Sequence, residues 1–344
     1  MNASGVLHRP RVLFGSTLGW RQALGERLRG QGCEVLDVDG RDREQLLAAL
    51  GDVDIMLCSP QQGFVFDAEL IAAAPRLRAV NSLVIGLETI DVEACTAAGV
   101  LVANGAIEEN FLGVAEATVM LILALGLDFK AKERAMRATG SRPLSTRAVL
   151  LRERTVGLIG IGRIGRAVVE RLRGFNVRIQ AYDPFVSTAP AGVALVSLDD
   201  LLRDSDIVSV HVMLTPQTRG LLGARELAMM KPSAYLINTS RGHIVDEAAL
   251  AAALNDGRLA AAAIDTFAQE PTPLDNPLFE VDPDKLILTG HCIAHSARIP
   301  SLLMDAAEEN VLREASAEVP EYIVNTQVIP AWHARLSRLA PART

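Results

Sequence analysis

The chain has 344 residues, of which 49% are hydrophobic and 22% are charged, and its formal net charge at pH 7 is −7. This length and balance favour a globular protein with two cored domains. The charges are mixed along the chain without a lysine-rich run, which argues against a nucleic-acid-binding face and a polybasic membrane anchor and favours a small-molecule partner.

Cysteine usage and apolar stretches give a first indication of location. The four cysteines are far apart and include no C-x-x-C pair: Cys33, Cys58, Cys95 and Cys292. This pattern is typical of reduced thiols rather than of disulfides or a zinc site. The N-terminal residues have no apolar run long enough for a signal peptide. The most apolar stretch, residues 114–127, contains Glu116 and is shorter than the roughly 18 to 20 residues that span a membrane. We therefore predict a cytoplasmic protein without a membrane span, in which residues 114–127 form a buried or dimer-forming helix.

The first hundred residues alternate short β-branched runs with helical patterns. The strand candidates are residues 11–14, 34–38, 54–58 and 77–83, and the helix candidates are residues 22–30, 43–50, 68–74 and 91–98. This alternation is typical of parallel βαβ units. The segment is therefore predicted to be a small parallel α/β domain.

A long helical pattern runs from Asn110 to about Arg137, and residues 140–143 break it. Six strand candidates then alternate with helical or turn segments: residues 155–159, 177–182, 207–212, 234–238, 260–264 and 286–289. Strands in this pattern predict a doubly wound sheet. A last helix is predicted at residues 301–316, and no strong pattern follows it.

A glycine-rich loop follows the strand candidate at residues 155–159. It reads Gly160-Ile161-Gly162-Arg163-Ile164-Gly165 and leads into a helical pattern. The first glycine permits a tight turn, the second lets the backbone approach a pyrophosphate, and the third allows close packing of helix and strand. The glycine pattern alone is a weak signal and also fits a turn that binds no nucleotide. The strand before it and the helix after it favour a dinucleotide site.

Asp183 ends the next predicted strand, at about the distance from the loop that a ribose-binding carboxylate requires. A carboxylate there accepts hydrogen bonds from the ribose hydroxyls and repels a 2′-phosphate. Residues 184–187 contain no arginine or lysine that would reverse this preference. The sequence therefore predicts NAD rather than NADP.

Polar residues also follow the other predicted strands, at the carboxyl ends where ligands bind in an open α/β sheet. They are His211, Asn238, Thr239, Ser240, Arg241, Asp265 and His291. The blocks around them resemble the D-isomer-specific 2-hydroxyacid dehydrogenase family. The matching segments are residues 160–183, LINTSRG at 236–242, AIDTFAQEP at 263–271, LTGH at 288–291, and in the first domain GLETIDVEACTAAGVLVAN at 86–104 and NFLGVAEATVMLILAL at 110–125.

The resemblance implies an α/β fold with two doubly wound parallel-sheet domains, a Rossmann-type NAD-binding domain inserted into a flavodoxin-like substrate-binding domain. The NAD-binding domain would be residues 106–292, the substrate-binding domain residues 1–105 plus 293–330, and a C-terminal tail residues 331–344. The implied activity is hydride transfer between NAD(H) and a small 2-hydroxy or 2-keto acid, by a homodimer.

The resemblance also implies a catalytic set of Arg241, Glu270 and His291. Arginine has a planar fork of donors that grips carboxylate and carbonyl oxygens, and histidine has an ordinary pKa of about 6.5 that suits it to donate and accept a proton. Glu270 would orient the imidazole and favour its charged form. Other interpretations stay open: Arg241 caps the strand end or pairs with Asp246, Glu270 lies in a plain surface turn, and His295 is the acid instead of His291.

The remaining site residues rest on the same resemblance. The cofactor positions are Gly160, Gly162, Arg163, Ile164, Gly165, Asp183, His211, Thr215, Thr239, Arg241, Asp265 and His291. Asp265 would bind the nicotinamide carboxamide, order its loop or cap a helix. The substrate positions are Phe64, Val84, Ile85, Gly86 and Arg241. No metal is expected, because the histidines lack metal-ligand spacing and hydride transfer needs no Lewis acid.

The sequence departs from the family pattern mainly around the substrate. Where the family has G-x-G-x-D, residues 82–88 keep only the second glycine and have Glu88 in place of the aspartate, and other family residues are replaced by Ala117, Met213 and Gly290. The loop at residues 59–64 has no basic residue, which disfavours a phosphorylated acid. Phe64, Leu83 and Val84 would line a pocket for an apolar or uncharged side chain, or simply pack in the core.

The sequence therefore favours a glyoxylate- or hydroxypyruvate-type acid, or an apolar 2-keto acid, as substrate. The alternatives are a phosphoglycerate- or phosphite-type dehydrogenase and an NAD-sensing binding protein of the same fold. Formate oxidation is disfavoured, because formate dehydrogenases of this type have glutamine at the position where this chain has Glu270.

Overall fold

The computed structural model of the chain describes residues 9–16, 18–39, 41–60, 63–142 and 147–339. The chain divides into two compact units. Unit 1 comprises Met1–Asn110 and Ser296–Thr344, and unit 2 comprises Phe111–His295. The predicted domain boundaries at 105/106 and 292/293 compare with unit boundaries at 110/111 and 295/296. Residues 1–8, 61–62, 143–146 and 340–344, on which parts of the sequence predictions fall, lie outside the described residues.

Unit 1 contains a five-stranded parallel sheet with the strand order β2-β1-β3-β4-β5. Its strands are β1 (Arg11–Phe14), β2 (Glu34–Asp37), β3 (Ile55–Cys58), β4 (Ala79–Ser82) and β5 (Leu101–Ala103). Its helices are α1 (Arg21–Gly30), α2 (Arg43–Ala49), α3 (Ala68–Ala72) and α4 (Val92–Ala97), and, late in the chain, α11 (Ile299–Ala315) and α12 (Ile329–Arg338). This is the flavodoxin-like order. The short strand β5 was absent from the sequence prediction.

Helix α12 corrects the prediction of an unpatterned C-terminal tail from residue 331. Trp332 on this helix is fully buried, and its Nε1 donates to the carbonyl of Arg78 at 3.0 Å. Arg335 donates to the carbonyls of Leu77 and Ala98, at 2.6 and 3.2 Å. The helix is therefore part of the core of unit 1, because it buries a large indole and satisfies carbonyls of the unit.

Unit 2 contains a seven-stranded parallel sheet with the order β12-β11-β10-β9-β6-β7-β8. Its strands are β6 (Thr155–Ile159), β7 (Arg178–Tyr182), β8 (Val193–Leu195), β9 (Ile207–Val210), β10 (Tyr235–Asn238), β11 (Ala261–Ile264) and β12 (Leu286–Leu288). Its helices are α5 (Glu108–Gly126), which begins in unit 1, α6 (Phe129–Thr139), α7 (Arg163–Leu172), α8 (Leu198–Asp204), α9 (Ala224–Met229) and α10 (Glu247–Asn255). Six of these strands were predicted, and the edge strand β8 was not. From β6 the chain adds β7 and β8 on one side, and it then returns to add β9 to β12 on the other side. The boundary between β6 and β9 is therefore the topological switch point of a Rossmann-type sheet.

The predicted continuous helix after Asn110 is wrong, because α5 and α6 are separate helices. Asp128 between them has a left-handed backbone, with a φ of 55°, which ends a helix in an L-residue chain. Its carboxylate accepts hydrogen bonds from the backbone N and Nη2 of Arg147, at 3.1 and 3.3 Å. Arg147, 19 residues further along the chain, thus stabilises the conformation that separates the two helices.

Helix α5 is long and apolar enough, by length and composition, to cross a membrane. Its Ala115, Ile122 and Leu125 nevertheless pack in the same buried cluster as Val156 and Leu158 of β6. Close packing against a sheet is the environment of a core helix, and the same length and hydropathy are common in such helices.

Candidate active site

The loop after β6 has the strand, turn and helix arrangement of a dinucleotide loop. Gly160 has a φ of +96°, and a Cβ there would lie 2.6 Å from the carbonyl oxygen of His211; a Cβ on Gly165 would lie 2.4 Å from the carbonyl oxygen of Gly160. Only glycine fits at either position. Gly162 has open space around it and precedes α7 without a capping side chain. The amides at the start of α7 therefore face room for a pyrophosphate.

Asp183 lies beside this loop, just after β7. Its Oδ2 accepts a hydrogen bond from the amide of Ile161 at 3.0 Å, and its Oδ1 accepts one from the amide of Phe185 at 3.0 Å. The carboxylate thus ties the end of β7 to the glycine loop. Of the other predicted loop residues, Arg163 places its guanidinium carbon 5.5 Å from the Phe111 ring centroid, and Ile164 packs against the core cluster of unit 2.

Two predicted cofactor residues are engaged locally. His211 has its Nε2 2.9 Å from the hydroxyl of Ser209, and burial lowers its pKa to about 4, so the ring is neutral at pH 7. The amide of Thr215 donates to the hydroxyl of Thr218 at 2.8 Å, and the two hydroxyls are 3.2 Å apart. What His211 contributes to the loop after β6 is its carbonyl, which borders Gly160.

The segment after β10 carries Arg241 and is fixed by its own polar residues. Asn238 donates through Nδ2 to the carbonyl of Arg241 at 3.0 Å, and accepts from the amide of Ser240 at 3.1 Å. The hydroxyl of Thr239 lies 3.1 Å from that of Thr118 on α5. Arg241 is half-buried, and its Nη1 donates to the carbonyl of Ser240 at 2.8 Å.

Gly242 brings the Arg241 segment against the loop that carries Glu270. A Cβ on Gly242 would lie 1.9 Å from the carbonyl carbon of Phe267 and 2.3 Å from the amide nitrogen of Ala268. Both atoms are backbone, so neither can move aside without shifting the loop. The absence of a side chain at residue 242 is therefore what allows the two segments to touch.

Asp265, after β11, orders the segment after β12. Its Oδ1 accepts three hydrogen bonds, from the hydroxyl of Thr289 at 2.7 Å and from the amides of Cys292 and Ile293 at 3.1 and 3.2 Å. The amide of His291 donates to the carbonyl of Asp265 at 2.6 Å. Of the three roles considered for Asp265, these contacts are those of a residue that orders its loop.

Glu270 and His291 are in direct contact. The Nδ1 of His291 lies 2.8 Å from the Oε2 of Glu270, and the amide of Phe267 donates to Oε1 at 2.9 Å. Burial, the largest influence, raises the pKa of Glu270, but these hydrogen bonds and the charges of His291 and Arg241 outweigh it and hold the pKa below its usual value. Glu270 is thus a carboxylate at neutral pH that faces an imidazole.

His295, the rival of His291, is not part of this contact. Its backbone amide donates to the carbonyl of Cys292 at 2.9 Å, while its exposed side chain makes no hydrogen bond or ion pair within the described part of the chain. Asp246, the proposed alternative partner of Arg241, caps α10 by accepting from the amide of Ala249 at 3.0 Å. No group of three or more histidine, cysteine or acidic side chains that could hold a metal occurs among the residues described.

Glu247 is a site-supporting residue that the sequence analysis missed. Its Oε1 accepts from the amide of Ala268 at 2.7 Å, and its Oε2 accepts from Nδ2 of Asn276 at 2.6 Å. The first turn of α10 thereby clamps both ends of the loop that contains Glu270. The available signal was an acidic residue right after the cap residue Asp246, which by itself fits ordinary helix capping.

The predicted substrate residues lie in unit 1. In the loop after β4, three carbonyls accept hydrogen bonds. The carbonyl of Val84 accepts from the amide of Gly105 at 3.0 Å, and that of Ile85 accepts from Nδ2 of Asn104 at 2.9 Å. The carbonyl of Gly86 accepts from the hydroxyl of Ser82 at 2.6 Å. The amides of Ile85 and Gly86 have no acceptor within the described ranges. Phe64 packs against the core cluster of unit 1, with the guanidinium carbon of Arg43 5.9 Å from its ring centroid.

Unit 2 is therefore a Rossmann-type dinucleotide-binding unit, with a glycine loop and a carboxylate at its switch point. Residues 119–292 match the family model described as D-isomer specific 2-hydroxyacid dehydrogenase, NAD binding domain. The chain belongs to that family, which confirms the resemblance found in the sequence. The two sheets also confirm the predicted fold class.

Three relatives place the chain within the family. It is 40% identical over 318 residues to the D-3-phosphoglycerate dehydrogenase of Mycobacterium bovis, a match that covers 90% of this chain and 58% of the relative. It is 36% identical over 312 residues to a glyoxylate reductase of Thermofilum pendens, covering 86% and 90%. The crystal structure of an NADPH-dependent glyoxylate/hydroxypyruvate reductase from Sinorhizobium meliloti superimposes with a TM-score of 0.81 at 28% identity, covering 94% and 98%. The chain thus spans little more than half of the mycobacterial relative.

Proposed function

We propose that the chain is an NAD(H)-dependent D-2-hydroxyacid dehydrogenase, or 2-keto acid reductase, with Arg241, Glu270 and His291 as its catalytic set. The observation that carries the proposal is the 2.8 Å contact between Nδ1 of His291 and Oε2 of Glu270. A histidine oriented by a carboxylate is well suited to general acid–base catalysis. Family membership supports the same conclusion.

Each member of the set has a distinct part in the reduction of a keto acid. Arg241 binds the substrate carboxylate and polarises the carbonyl through its fork of donors. Because Nδ1 of His291 faces Glu270, Nε2 is the nitrogen left to protonate the carbonyl oxygen. Glu270 stays ionised and stabilises the charged imidazole before transfer. The nicotinamide of bound NADH supplies the hydride.

The residues after β6 and β7 fit the cofactor. The open space at Gly162 and the amides at the start of α7 would hold the pyrophosphate, and Asp183 would hold the adenosine ribose. The carboxylate of Asp183 repels a 2′-phosphate, so we expect a catalytic efficiency at least tenfold higher with NADH than with NADPH. Equal efficiency with both would contradict this preference, and steady-state assays with each cofactor measure it.

We further propose that unit 1 binds the substrate. The amides of Ile85 and Gly86 would receive its carboxylate, and Val84 and Phe64 would contact an uncharged side chain. This favours glyoxylate, hydroxypyruvate or an apolar 2-keto acid. We also propose a cytoplasmic homodimer that uses the exposed apolar side chains of α5 and α6, since Met120 and Met136 are 48% and 59% exposed.

Oxidation of 3-phosphoglycerate is the second candidate, because the M. bovis relative carries that name at 40% identity. The loop at residues 59–64 speaks against it, since it has no arginine or lysine to bind a phosphate. An NAD-sensing protein without turnover is the third possibility, and the same assay distinguishes all three.

The test is NADH oxidation by the purified chain with glyoxylate, hydroxypyruvate, pyruvate and phenylpyruvate, and NAD reduction with 3-phosphoglycerate. We expect turnover of at least one keto acid. His291→Ala should abolish it and Arg241→Ala should weaken keto-acid binding, both with NADH affinity nearly unchanged, whereas His295→Ala serves as the matched control. Tight NADH binding without turnover of any substrate would refute the proposed enzymatic activity. Inactivation by His295→Ala would refute the assignment of His291 as the catalytic acid.

A further inference from the structure

Unit 2 contains a cavity at the end of the sheet away from the glycine loop. It has a volume of about 260 Å³ and borders Ile207, Tyr235 and Ala261, the first residues of β9, β10 and β11. The catalytic segments follow the other ends of these strands, and Tyr235 and Asn238 at the two ends of β10 are roughly 10 Å apart along the strand. The cavity is therefore separate from the site described above.

The lining of the cavity combines apolar side chains, several charged groups and one tyrosine hydroxyl. Leu125, Val149 and Ile287 join Ile207 and Ala261 in forming an apolar floor. Tyr235 is only 7% exposed, and its hydroxyl has no hydrogen-bond partner among the residues that the structure describes. Burial raises the pKa of Tyr235, so the hydroxyl keeps its proton. The hydroxyl is not one of the enclosed polar atoms that lack a partner, so it opens onto the space that Tyr235 lines. A ligand in that space can therefore form a hydrogen bond with it.

The charges around the cavity compensate one another. Three basic residues, Lys130, Arg147 and Arg154, and three acidic residues, Asp128, Asp206 and Asp284, line it.

Several of these charged groups are already engaged. Arg147 lies 3.3 Å from Asp128, Asp206 lies 2.9 Å from Lys231, and Nζ of Lys130 donates to the carbonyl of Leu286 at 2.8 Å. A charged ligand would have to break such pairs or stay unpaired in a partly dry site. A neutral ligand meets neither cost.

We propose that this cavity is a second small-molecule site, which takes a neutral, compact ligand whose hydroxyl or carbonyl oxygen pairs with the hydroxyl of Tyr235. A dry apolar cavity of about 150 Å³ accommodates benzene. The larger volume here holds one aromatic or branched aliphatic body together with its polar group. The inference uses only residues of unit 2 outside the catalytic set, and it stands whether or not the proposed reaction is correct.

The test is ligand-observed NMR titration of the full chain with three probes of one shape. Phenol has the ring and a hydroxyl, toluene lacks the polar group, and benzoate adds a charge. We expect saturable binding of phenol, weaker binding of toluene and none of benzoate. Tyr235→Phe should weaken phenol binding about two- to tenfold, the loss of one hydrogen bond, and leave toluene binding unchanged. Tyr322→Phe in unit 1 is the matched control and should bind phenol like the original protein.

A filling variant and the cofactor locate the binding. Ala124→Leu on α5 places a larger side chain in the lining at a position where leucine favours helix, and it should abolish saturable binding of phenol and toluene. Saturating NADH should leave phenol binding unchanged. The proposal is overturned by the absence of saturable phenol binding, by benzoate binding more tightly than phenol, by normal phenol binding in Tyr235→Phe or Ala124→Leu, or by displacement of phenol by NADH.

Discussion

The loops that follow β11 and β12 in unit 2 and the loop that follows β4 in unit 1 are held in opposite ways. In unit 2, carboxylates accept from loop amides: Asp265 from Cys292 and Ile293, and Glu247 from Ala268. In unit 1, side-chain donors bind loop carbonyls: Ser82 binds Gly86, and Asn104 binds Ile85. Loop amides are thus occupied in the first case, whereas in the second the amides of Ile85 and Gly86 have no acceptor in the described ranges.

The difference indicates which loops position functional side chains and which loop presents backbone amides to a ligand. In unit 2, hydrogen bonds from loop amides to side chains of the same unit stabilise the segments that carry Arg241, Glu270 and His291. The loop of unit 1 leaves the amides of Ile85 and Gly86 without an acceptor in the described ranges, which suits it to an anion such as a carboxylate. The following predictions break or sharpen this contrast, beginning with the largest effect.

Gly242→Ala should have the largest effect. The added Cβ would lie 1.9 Å from the carbonyl carbon of Phe267, so the loop carrying Glu270 must move. We expect a loss of more than about 4 kcal/mol in the free energy of unfolding, or no folded protein, as for other severe overpacking. Denaturant unfolding measures it. Gly174→Ala is the control, since a Cβ there meets nothing within 4 Å, and equal stability of both variants would contradict the prediction.

Glu314 on α11 is a carboxyl group of unit 1 that, unlike the loop-binding carboxylates of unit 2, is buried and accepts a single hydrogen bond. Its Oε2 accepts from Nδ2 of Asn81 at 2.8 Å, while its Oε1 and the Oδ1 of Asn81 have no partner. Burial raises the pKa of Glu314 to about 8 from an ordinary 4.5. Because the folded state holds this proton more tightly than the unfolded state, stability falls as pH rises from about 4.5 to about 8, and levels off above that.

Glu314→Gln should remove this pH dependence. The accumulated loss at pH 9 is on the order of 5 kcal/mol, since the pKa rises from 4.5 to about 8 and each pKa unit corresponds to about 1.4 kcal/mol. A glutamine amide can donate to Asn81 Oδ1. We therefore expect the variant to match the original protein near pH 5 and to exceed it at pH 9 in thermal unfolding. Parallel stability profiles for the two proteins from pH 5 to 9 would show that Glu314 does not hold its proton as described.

Glu247→Ala should lower kcat by about 10- to 100-fold, because the loop carrying Glu270 loses its clamp at Ala268 and Asn276. Glu247 acts as a positioning residue, so NADH affinity should stay the same and the pH profile of kcat should change as the Glu270–His291 contact loosens. Glu226→Ala is the matched control, since Glu226 accepts from the amide of Gly223 at the start of α9. A kcat equal to that of the control variant would disprove the role.

Ser82→Ala should have the smallest effect. It removes the hydroxyl that donates to the carbonyl of Gly86 at 2.6 Å, worth about 0.5 to 1.5 kcal/mol. If the loop presents its amides to the substrate carboxylate, KM for the keto acid rises a few-fold while kcat changes little. Steady-state kinetics decides this, and a fall in kcat with an unchanged KM would assign the loop a different part.

The sequence was most informative where backbone geometry demands a particular residue. Gly160 and Gly165 are required by contacts under 3 Å, and Asp183 lies where the motif expects it. Strand and helix positions in both units followed from alternation of apolar runs, because each buried strand needs a continuous apolar sequence. The contact between Glu270 and His291 followed from the family motifs and not from the spacing of the residues.

The errors of sequence interpretation concern features decided by distant residues. Strands β5 and β8 have only three residues each, which gives at most a weak periodic signal, although β12 is equally short and was predicted. The break at Asp128 depends on Arg147, and α12 is recognised as part of the core only by the burial of Trp332. The role of Glu247 was hidden for the same reason, since Ala268 lies 21 residues away.

The contact between Gly242 and Phe267 means that the motifs at residues 236–242 and 263–271 must change together in evolution. A chimera that takes residues 236–242 from a relative also imposes that relative's shape on the backbone at residues 267–268, since no side chain separates the two. Exchange of both blocks together should yield active hybrids more often than exchange of either alone. Variation in the segment that carries Arg241 is therefore tied to variation in the loop that carries Glu270, because Gly242 and Phe267, 25 residues apart in the chain, lie against each other.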